Sequence, residues 1–96
     1  MNGNSVYKIP DGKLVKIQLE FEKEKILAVK IFGDFFIYPE EGIEHLENSL
    51  TGKKLFEKEI IEAIEKSKSK NGLEFFGVHS TGLAQAILMA KEGAQK

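Results

Sequence analysis

Apolar and polar residues alternate between positions 15 and 22, which is typical of a β-strand with one buried face. The apolar side of this stretch carries Val15, Ile17, Leu19 and Phe21. The polar side carries Lys16, Gln18, Glu20 and Glu22. The alternation therefore predicts a strand of an antiparallel sheet that is covered on one side only.

Two further strands are predicted beside this one. Pro10-Asp11-Gly12 is a turn signal, because proline presets φ and glycine accepts a positive φ, so Val6 to Ile9 are expected to form a short edge strand. A polar run after residue 21 reverses the chain, and Leu27, Val29 and Ile31 then supply the buried face of a return strand. The sheet is expected to have about three strands.

An aromatic stretch, IFGDFFIYPEE, ends the strand region. Gly33 interrupts the strand pattern, which indicates a bulge or a close approach by another backbone. If Phe35 and Ile37 point into the core, strand alternation turns Phe36 and Tyr38 the other way. The sequence leaves two interpretations of these rings open, a plain core strand and a surface that receives a partner.

Three amphipathic helices are predicted after the strands. The first is expected to begin at Pro39, with acidic residues near its positive dipole end, and to stop at Gly52. The second, within KLFEKEIIEAIEKSKSKNG, is expected to end at Gly72, and the third to have Ser80 as its N-cap. The expected apolar positions are Ile43, Leu46 and Leu50 in the first helix and Phe56, Ile60, Ala63 and Ile64 in the second. In the third helix, Leu83 and Ile87 are expected on one side with Ala90 or Lys91.

This order of elements, strands first and helices afterwards, predicts an α+β fold in which three helices cover one face of a small antiparallel sheet. The short apolar segment LEFFGVH fits both a buried connector and a short strand. A chain of 96 residues is expected to form one domain over residues 1–96, with an ordered core from about 6 to 92.

Composition argues against several classes of function. A net charge of −1 is unlike that of a general polyanion binder. A chain without arginine also lacks the guanidinium groups that bind phosphate through two parallel hydrogen bonds. The absence of cysteine removes disulfides, thiol nucleophiles and cysteine-ligated metal centres. The longest apolar run, AILMA, is too short to cross a membrane. We therefore expect a cytoplasmic protein that binds neither nucleic acid nor membrane.

Polar residues at two positions have both a structural and a functional interpretation. Asp34 follows a glycine, where its carboxylate is expected to cap backbone N–H groups, whereas acid–base chemistry would require a second acid beside it. The segment VHSTG holds His79, Ser80 and Thr81 at a helix start, where free N–H groups are either capped locally or bind an anion. The other histidine, His45, lies on a different helix, so we expect no metal site and no catalytic residue.

The stretch GKLVKIQLEFEKEKILAVKIFGDFFIYPEEGIEHLENSLTGKKL resembles the accessory domain of lipoate–protein ligases. That domain follows the catalytic domain in many bacterial enzymes and is a separate small subunit in some archaea. The resemblance runs from about Tyr7 to the third helix. Its most specific elements are Gly12-Lys13, Gly33-Asp34-Phe35-Phe36, Pro39-Glu40 and Leu50-Thr51-Gly52. The fold that it implies is also similar to that of iron–sulfur scaffold proteins, although this chain lacks their cysteine ligands.

The resemblance implies a non-catalytic subunit of a heterodimeric ligase. A catalytic partner would bind lipoate, ATP and Mg, form lipoyl-AMP, and transfer the lipoyl group to a lysine of a carrier domain. The accessory subunit would be needed for the adenylation step while holding no cofactor itself, and its contact with lipoyl-accepting carrier domains would be indirect.

An accessory role requires a surface that meets the catalytic subunit or closes over its adenylate site. The residues expected to form this surface are Gly33, Asp34, Phe35, Phe36, Tyr38, His79, Ser80 and Thr81. Two other functions stay open. One is a free-standing module that binds protein or RNA, with the lysines of KSKSK as the RNA contact, and the other is a small independent enzyme.

Overall fold

The computed structural model describes residues 1–93 as an α+β fold with a three-stranded antiparallel sheet, a two-stranded ribbon and three helices. The sheet contains β1 (Asn2–Lys8), β2 (Leu14–Glu22) and β3 (Lys25–Gly33), in that spatial order. The ribbon pairs β4 (Phe36–Tyr38) with β5 (Glu74–Phe76). The helices are α1 (Gly42–Leu50), α2 (Glu57–Asn71) and α3 (Ser80–Glu92).

The helices cover one face of the sheet, as the sequence predicted. Helix α3 lies over β1 and β2, α1 lies beside β3, and α2 packs against both other helices. The four predicted apolar residues of β2 are buried and the polar residues between them are exposed. A single core therefore lies between the sheet and the helices. Within residues 1–93, none of the helices is long and apolar enough to span a bilayer.

Strand β1 begins at Asn2, four residues earlier than predicted, and Ile9 lies beyond its end although it is fully buried. The inward-facing positions near its start are Gly3 and Ser5, which carry no hydrophobic signal. The Ser5 hydroxyl donates a hydrogen bond of 2.6 Å to the Ala86 carbonyl of α3. The start of β1 is therefore held on α3 by a hydrogen bond, and it lacks the alternating apolar residues by which a strand is recognised in a sequence.

A β-bulge in β3 makes the predicted burial of Leu27 wrong. Glu20 pairs with Ala28 whereas Phe21 pairs with Ile26, so Leu27 is the unpaired extra residue. Ile26 is fully buried and Leu27 is exposed. Beyond the bulge the alternation of buried and exposed residues resumes, so Val29 and Ile31 are buried as predicted.

The outer edge of β3 is covered by the segments that follow it. The Ile31 N–H donates to Glu47 Oε2 of α1 at 2.8 Å, and the Ile26 N–H donates to the Lys53 carbonyl at 2.9 Å. The Ile26 carbonyl in turn accepts from the Gly52 N–H at 2.8 Å. These bonds satisfy backbone groups of an edge strand that would otherwise be free to pair with another chain.

Helix α1 starts at Gly42, so the predicted start at Pro39 is wrong, and residues 39–41 form a turn. The Gly42 N–H closes this turn by donating to the Pro39 carbonyl at 2.8 Å. Gly42 is also tightly packed, since a Cβ there would lie 2.6 Å from Ile37 Cγ2 and 3.1 Å from Leu73 Cδ2. The ribbon therefore sits directly on the first turn of α1, and only glycine leaves room for it.

The second helix begins after Phe56, which is its N-cap residue and has extended backbone angles (φ −116°, ψ 137°). The side chain of Phe56 is consequently exposed, and its predicted place on the buried face is wrong. The other predicted core positions of α2 and α3 are buried. Gly72 ends α2 in the left-handed conformation, as expected of a C-cap glycine.

Candidate functional site

The β4–β5 ribbon has one face turned to the core and one turned to solvent. Ile37 pairs with Phe75 on the inner face, where Ile37 is buried and Phe75 is half-buried. The register places Phe36 opposite Phe76 and Tyr38 opposite Glu74 on the outer face. Phe36, Tyr38 and Phe76 are 69%, 62% and 53% exposed, and we call these three rings the aromatic face.

The inner face fixes the ribbon to the helices. Ile37 packs on Gly42 at the start of α1. On the α2 side, the Lys68 ammonium lies 4.9 Å from the centre of the Phe75 ring, within the range of a cation–π contact. The ribbon that carries the aromatic face is therefore anchored to α1 and α2 by its inner side chains.

The aromatic stretch divides between core and surface, in the arrangement that strand alternation requires when Phe35 and Ile37 point inward. Phe35 and Ile37 are in the core, and Phe36 and Tyr38 point outward. Phe35 therefore serves internal packing and offers no side chain to a partner. Phe76 was missed as a site residue, because its segment was too short to assign and its pairing with Phe36 is visible only in the folded chain.

The Gly33–Phe36 turn is built around a close backbone approach, one of the two alternatives that the glycine indicated. Gly33 has φ +152°, and a Cβ there would collide with the Leu14 carbonyl oxygen. That same oxygen accepts a hydrogen bond of 3.1 Å from the Asp34 N–H. The Asp34 carboxylate is exposed and makes no hydrogen bond with residues 1–93, so the predicted backbone cap is wrong.

His79, and not Ser80, is the N-cap of α3. His79 Nδ1 accepts a hydrogen bond of 3.1 Å from the Gly82 N–H, and its extended backbone (φ −146°, ψ 164°) directs the ring over the helix start. Ser80 is the first helical residue and is buried, with its hydroxyl bonded to the Glu65 carboxylate of α2. Ser80 therefore joins two helices. Thr81 is exposed beside it.

The turn before β2 lies between the two halves of the predicted site. The carbonyl of Leu14, the first residue of β2, accepts from the Asp34 N–H, and the Lys13 N–H of the turn donates to the Gly77 carbonyl at 2.8 Å. On the other side Ile9 packs against Gly82, where an added Cβ would lie 2.7 Å from Ile9 Cδ1. The Gly33–Phe36 turn and the start of α3 thus flank residues 9–14 at one end of the protein.

The polar groups at this end of the protein are partly engaged in local hydrogen bonds. Among residues 1–93, no group of three or more His, Asp or Glu side chains is placed to hold a metal ion. The His79 ring and the Ser80 hydroxyl are engaged in hydrogen bonds that hold α3. The exposed groups are the three rings with Asp34, His79 and Thr81, and their role as a partner surface stays a prediction.

Comparison with known proteins identifies the family. Residues 6–87 match the family described as bacterial lipoate protein ligase C-terminus. A curated relative, lipoate-protein ligase A subunit 2 of Thermoplasma acidophilum, is 31% identical over 74 residues, which is 77% of this chain and 76% of the relative. The chain belongs to this lipoate protein ligase family. The resemblance inferred from the short motifs is confirmed.

A solved structure agrees with the family assignment. It is described as an archaeal lipoylation system, a bipartite lipoate protein ligase and its E2 lipoyl domain, from Thermoplasma acidophilum. The matched chain is 28% identical in sequence, with a TM-score of 0.78 over 91% of this chain and 94% of that chain. This lipoate protein ligase domain therefore shares the fold of its archaeal relative over nearly its whole length.

Proposed function

We propose that this chain is the accessory subunit of a two-chain lipoate–protein ligase. The catalytic subunit binds lipoate, ATP and Mg, and this chain is required for it to form lipoyl-AMP before transfer to a carrier-domain lysine. Membership of the ligase family and similarity to a protein named subunit 2 support the assignment. The observation that carries it is the aromatic face, since a domain that acts through a partner needs a surface to bind it.

The aromatic face has the properties of a docking surface for the catalytic subunit. Aromatic side chains are enriched at binding hot spots, and burying one large apolar side chain contributes about 2 kcal/mol. Phe36, Tyr38 and Phe76 project from paired strands, so their backbone is already ordered and loses little conformational entropy when a partner covers the rings. Asp34, which is exposed two residues before Phe36, supplies a polar group of the kind found at an interface rim.

Docking can promote adenylation without a catalytic side chain from this chain. A bound domain either excludes water from the adenylate site or stabilises the competent conformation of its partner. Both mechanisms raise the rate of lipoyl-AMP formation only in the assembled complex. The proposal therefore predicts that activity and assembly change together when the aromatic face is altered.

The direct test is lipoate-dependent exchange of pyrophosphate into ATP by the cognate catalytic subunit, with and without this chain. Exchange that depends on both chains supports the accessory role. Full exchange by the catalytic subunit alone rejects it and leaves a free-standing binding module as the alternative.

The structure offers a different account of the lysines on which RNA binding would depend. Lys68 lies over the Phe75 ring, and Lys68 and Lys70 occupy the last turn of α2, where the helix dipole favours cations. Retention of RNA by the isolated domain that weakens steeply with salt would favour the RNA-binding alternative.

A further inference from the structure

The outer face of the three-stranded sheet, opposite the helices, is not uniformly polar. Val6, Lys16 and Phe32 lie in one row across β1, β2 and β3, because Lys16 pairs with both of the others. Val6 is 60% exposed and Phe32 is 42% exposed. An antiparallel sheet with one solvated face normally places polar side chains there, so two exposed apolar residues in one row, one on each side of Lys16, need an explanation.

Lysines surround this apolar pair. Lys16 lies between the two residues, Lys30 occupies the next row on β3, and Lys8 follows on β1, all of them exposed. The row of Lys30 also contains Asn4 and Gln18, which are uncharged. The carboxylates Glu20 and Glu22 lie farther along β2. We call the set Val6, Lys8, Lys16, Lys30 and Phe32 the basic face.

The neighbouring groups leave this positive charge accessible. Lys30 Nζ lies 3.9 Å from Glu47 Oε1, but its side chain is 67% exposed, and an exposed pair at that distance is weak. The other oxygen of Glu47 accepts from the Ile31 N–H, so this carboxylate is committed to the edge of β3. Lys8 donates to the carbonyls of Ile9 and Gly12, which leaves Lys16 as the central cation of the face.

We propose that the basic face docks an acidic surface of the lipoyl-carrier domain. Charge complementarity selects a negatively charged partner, and the exposed Val6 and Phe32 provide apolar contacts on the two sides of Lys16. This inference rests on the proposed function, because the carrier domain is the acceptor substrate of a lipoate–protein ligase. It replaces the expectation that contact with the carrier is indirect.

The aromatic face and the basic face differ in polarity, and this difference suits two different partners, the catalytic subunit and the carrier domain. A permanent subunit contact is expected to be more apolar than a transient one, which suits the three exposed rings of the aromatic face. A carrier domain must arrive and leave in each turnover, which suits a charged surface that speeds encounter and contributes modest affinity. The basic face lies on the three-stranded sheet and the aromatic face on the separate ribbon, so the two partners use different strands.

The test uses the assembled two-chain ligase with its cognate apo lipoyl-carrier domain as the probe. Lys16→Glu should raise the KM for the carrier about tenfold, because it reverses the central charge, while lipoate-dependent pyrophosphate exchange stays unchanged. Lys16→Gln should give a smaller rise and serves as the milder variant if the reversal perturbs folding. The wild-type KM should also increase with ionic strength, and this dependence should be weaker in Lys16→Glu.

Glu20→Lys is the matched control, since Glu20 is exposed on the same strand and face but outside the basic face. It should not raise the KM for the carrier. The proposal is overturned if Lys16→Glu and Lys16→Gln leave that KM unchanged, or if Glu20→Lys raises it equally. Loss of pyrophosphate exchange in Lys16→Glu, or single-stranded RNA bound through Lys16, would also overturn it. Failure of the proposed function is distinct, because the wild-type chain would then not stimulate exchange at all.

Discussion

Phe36 and Phe76 lie directly opposite each other across the β4–β5 ribbon, and both rings face solvent. They come from distant parts of the chain, and the segments that carry them are held on α1 and α2 by Ile37 and Phe75. This pair is the centre of the aromatic face. Its exposure is what a subunit that works only in a complex is expected to show before its partner binds.

Replacing Phe36 with Ala should weaken binding of the catalytic subunit by roughly 30-fold, since loss of a hot-spot ring costs about 2 kcal/mol. The Kd can be measured by titration calorimetry with the purified catalytic subunit. Phe56→Ala is the matched control, because Phe56 is also an exposed ring but lies at the start of α2. Equal binding by the wild-type and Phe36→Ala chains would remove the aromatic face from the proposed interface.

Replacing His79 with Ala should lower the free energy of unfolding by about 1 kcal/mol, because the Gly82 N–H loses its capping partner. His79→Asn should restore most of the loss, since asparagine is a favourable N-cap. Urea denaturation followed by circular dichroism measures both. Thr81→Ala is the control at an exposed neighbouring position, and a His79→Ala chain as stable as this control would contradict the cap.

Substitution of Gly33 by Ala should destabilise the protein more than the same change at Gly52. Both glycines have positive φ, +152° at Gly33 and +87° at Gly52, so an alanine strains the backbone at either position, by about 1–3 kcal/mol. Only at Gly33 does the new Cβ collide with a carbonyl oxygen, that of Leu14, while the space around Gly52 is open. Thermal unfolding of the two variants measures the difference, and equal losses would show that the close approach is absent.

The bulge in β3 predicts opposite outcomes for two adjacent residues. Ile26→Ala should cost about 2–5 kcal/mol, because it opens a cavity in the core, whereas Leu27→Ala should cost less than about 1 kcal/mol. Chemical denaturation of the two variants distinguishes them. A larger loss for Leu27→Ala would mean that β3 keeps unbroken alternation and has no bulge at this point.

Sequence patterns predicted the elements that depend on local signals. The faces of β2 followed from alternation because every inward residue of that strand is apolar. The opposite directions of Phe35 and Phe36 followed from the same rule. Gly72 was recognised as a helix end because the left-handed cap is a local requirement of the backbone.

Features that depend on tertiary contacts were not predicted. The start of β1 was missed because Gly3 and Ser5 face the helices without an apolar signal. The cap of α3 was assigned to Ser80 because nothing local shows that Glu65 engages its hydroxyl and leaves the capping position to His79. Phe76 joined the candidate site only through pairing between segments far apart in the chain.

Under the proposed function, this chain enables a partner to activate lipoate. The decisive experiment is lipoate-dependent ATP–pyrophosphate exchange by the cognate catalytic subunit, alone and with the chain added. We expect exchange only when both chains are present, and reduced exchange when Phe36→Ala replaces the wild-type chain at limiting concentration. Exchange of the same rate with and without the chain would contradict it.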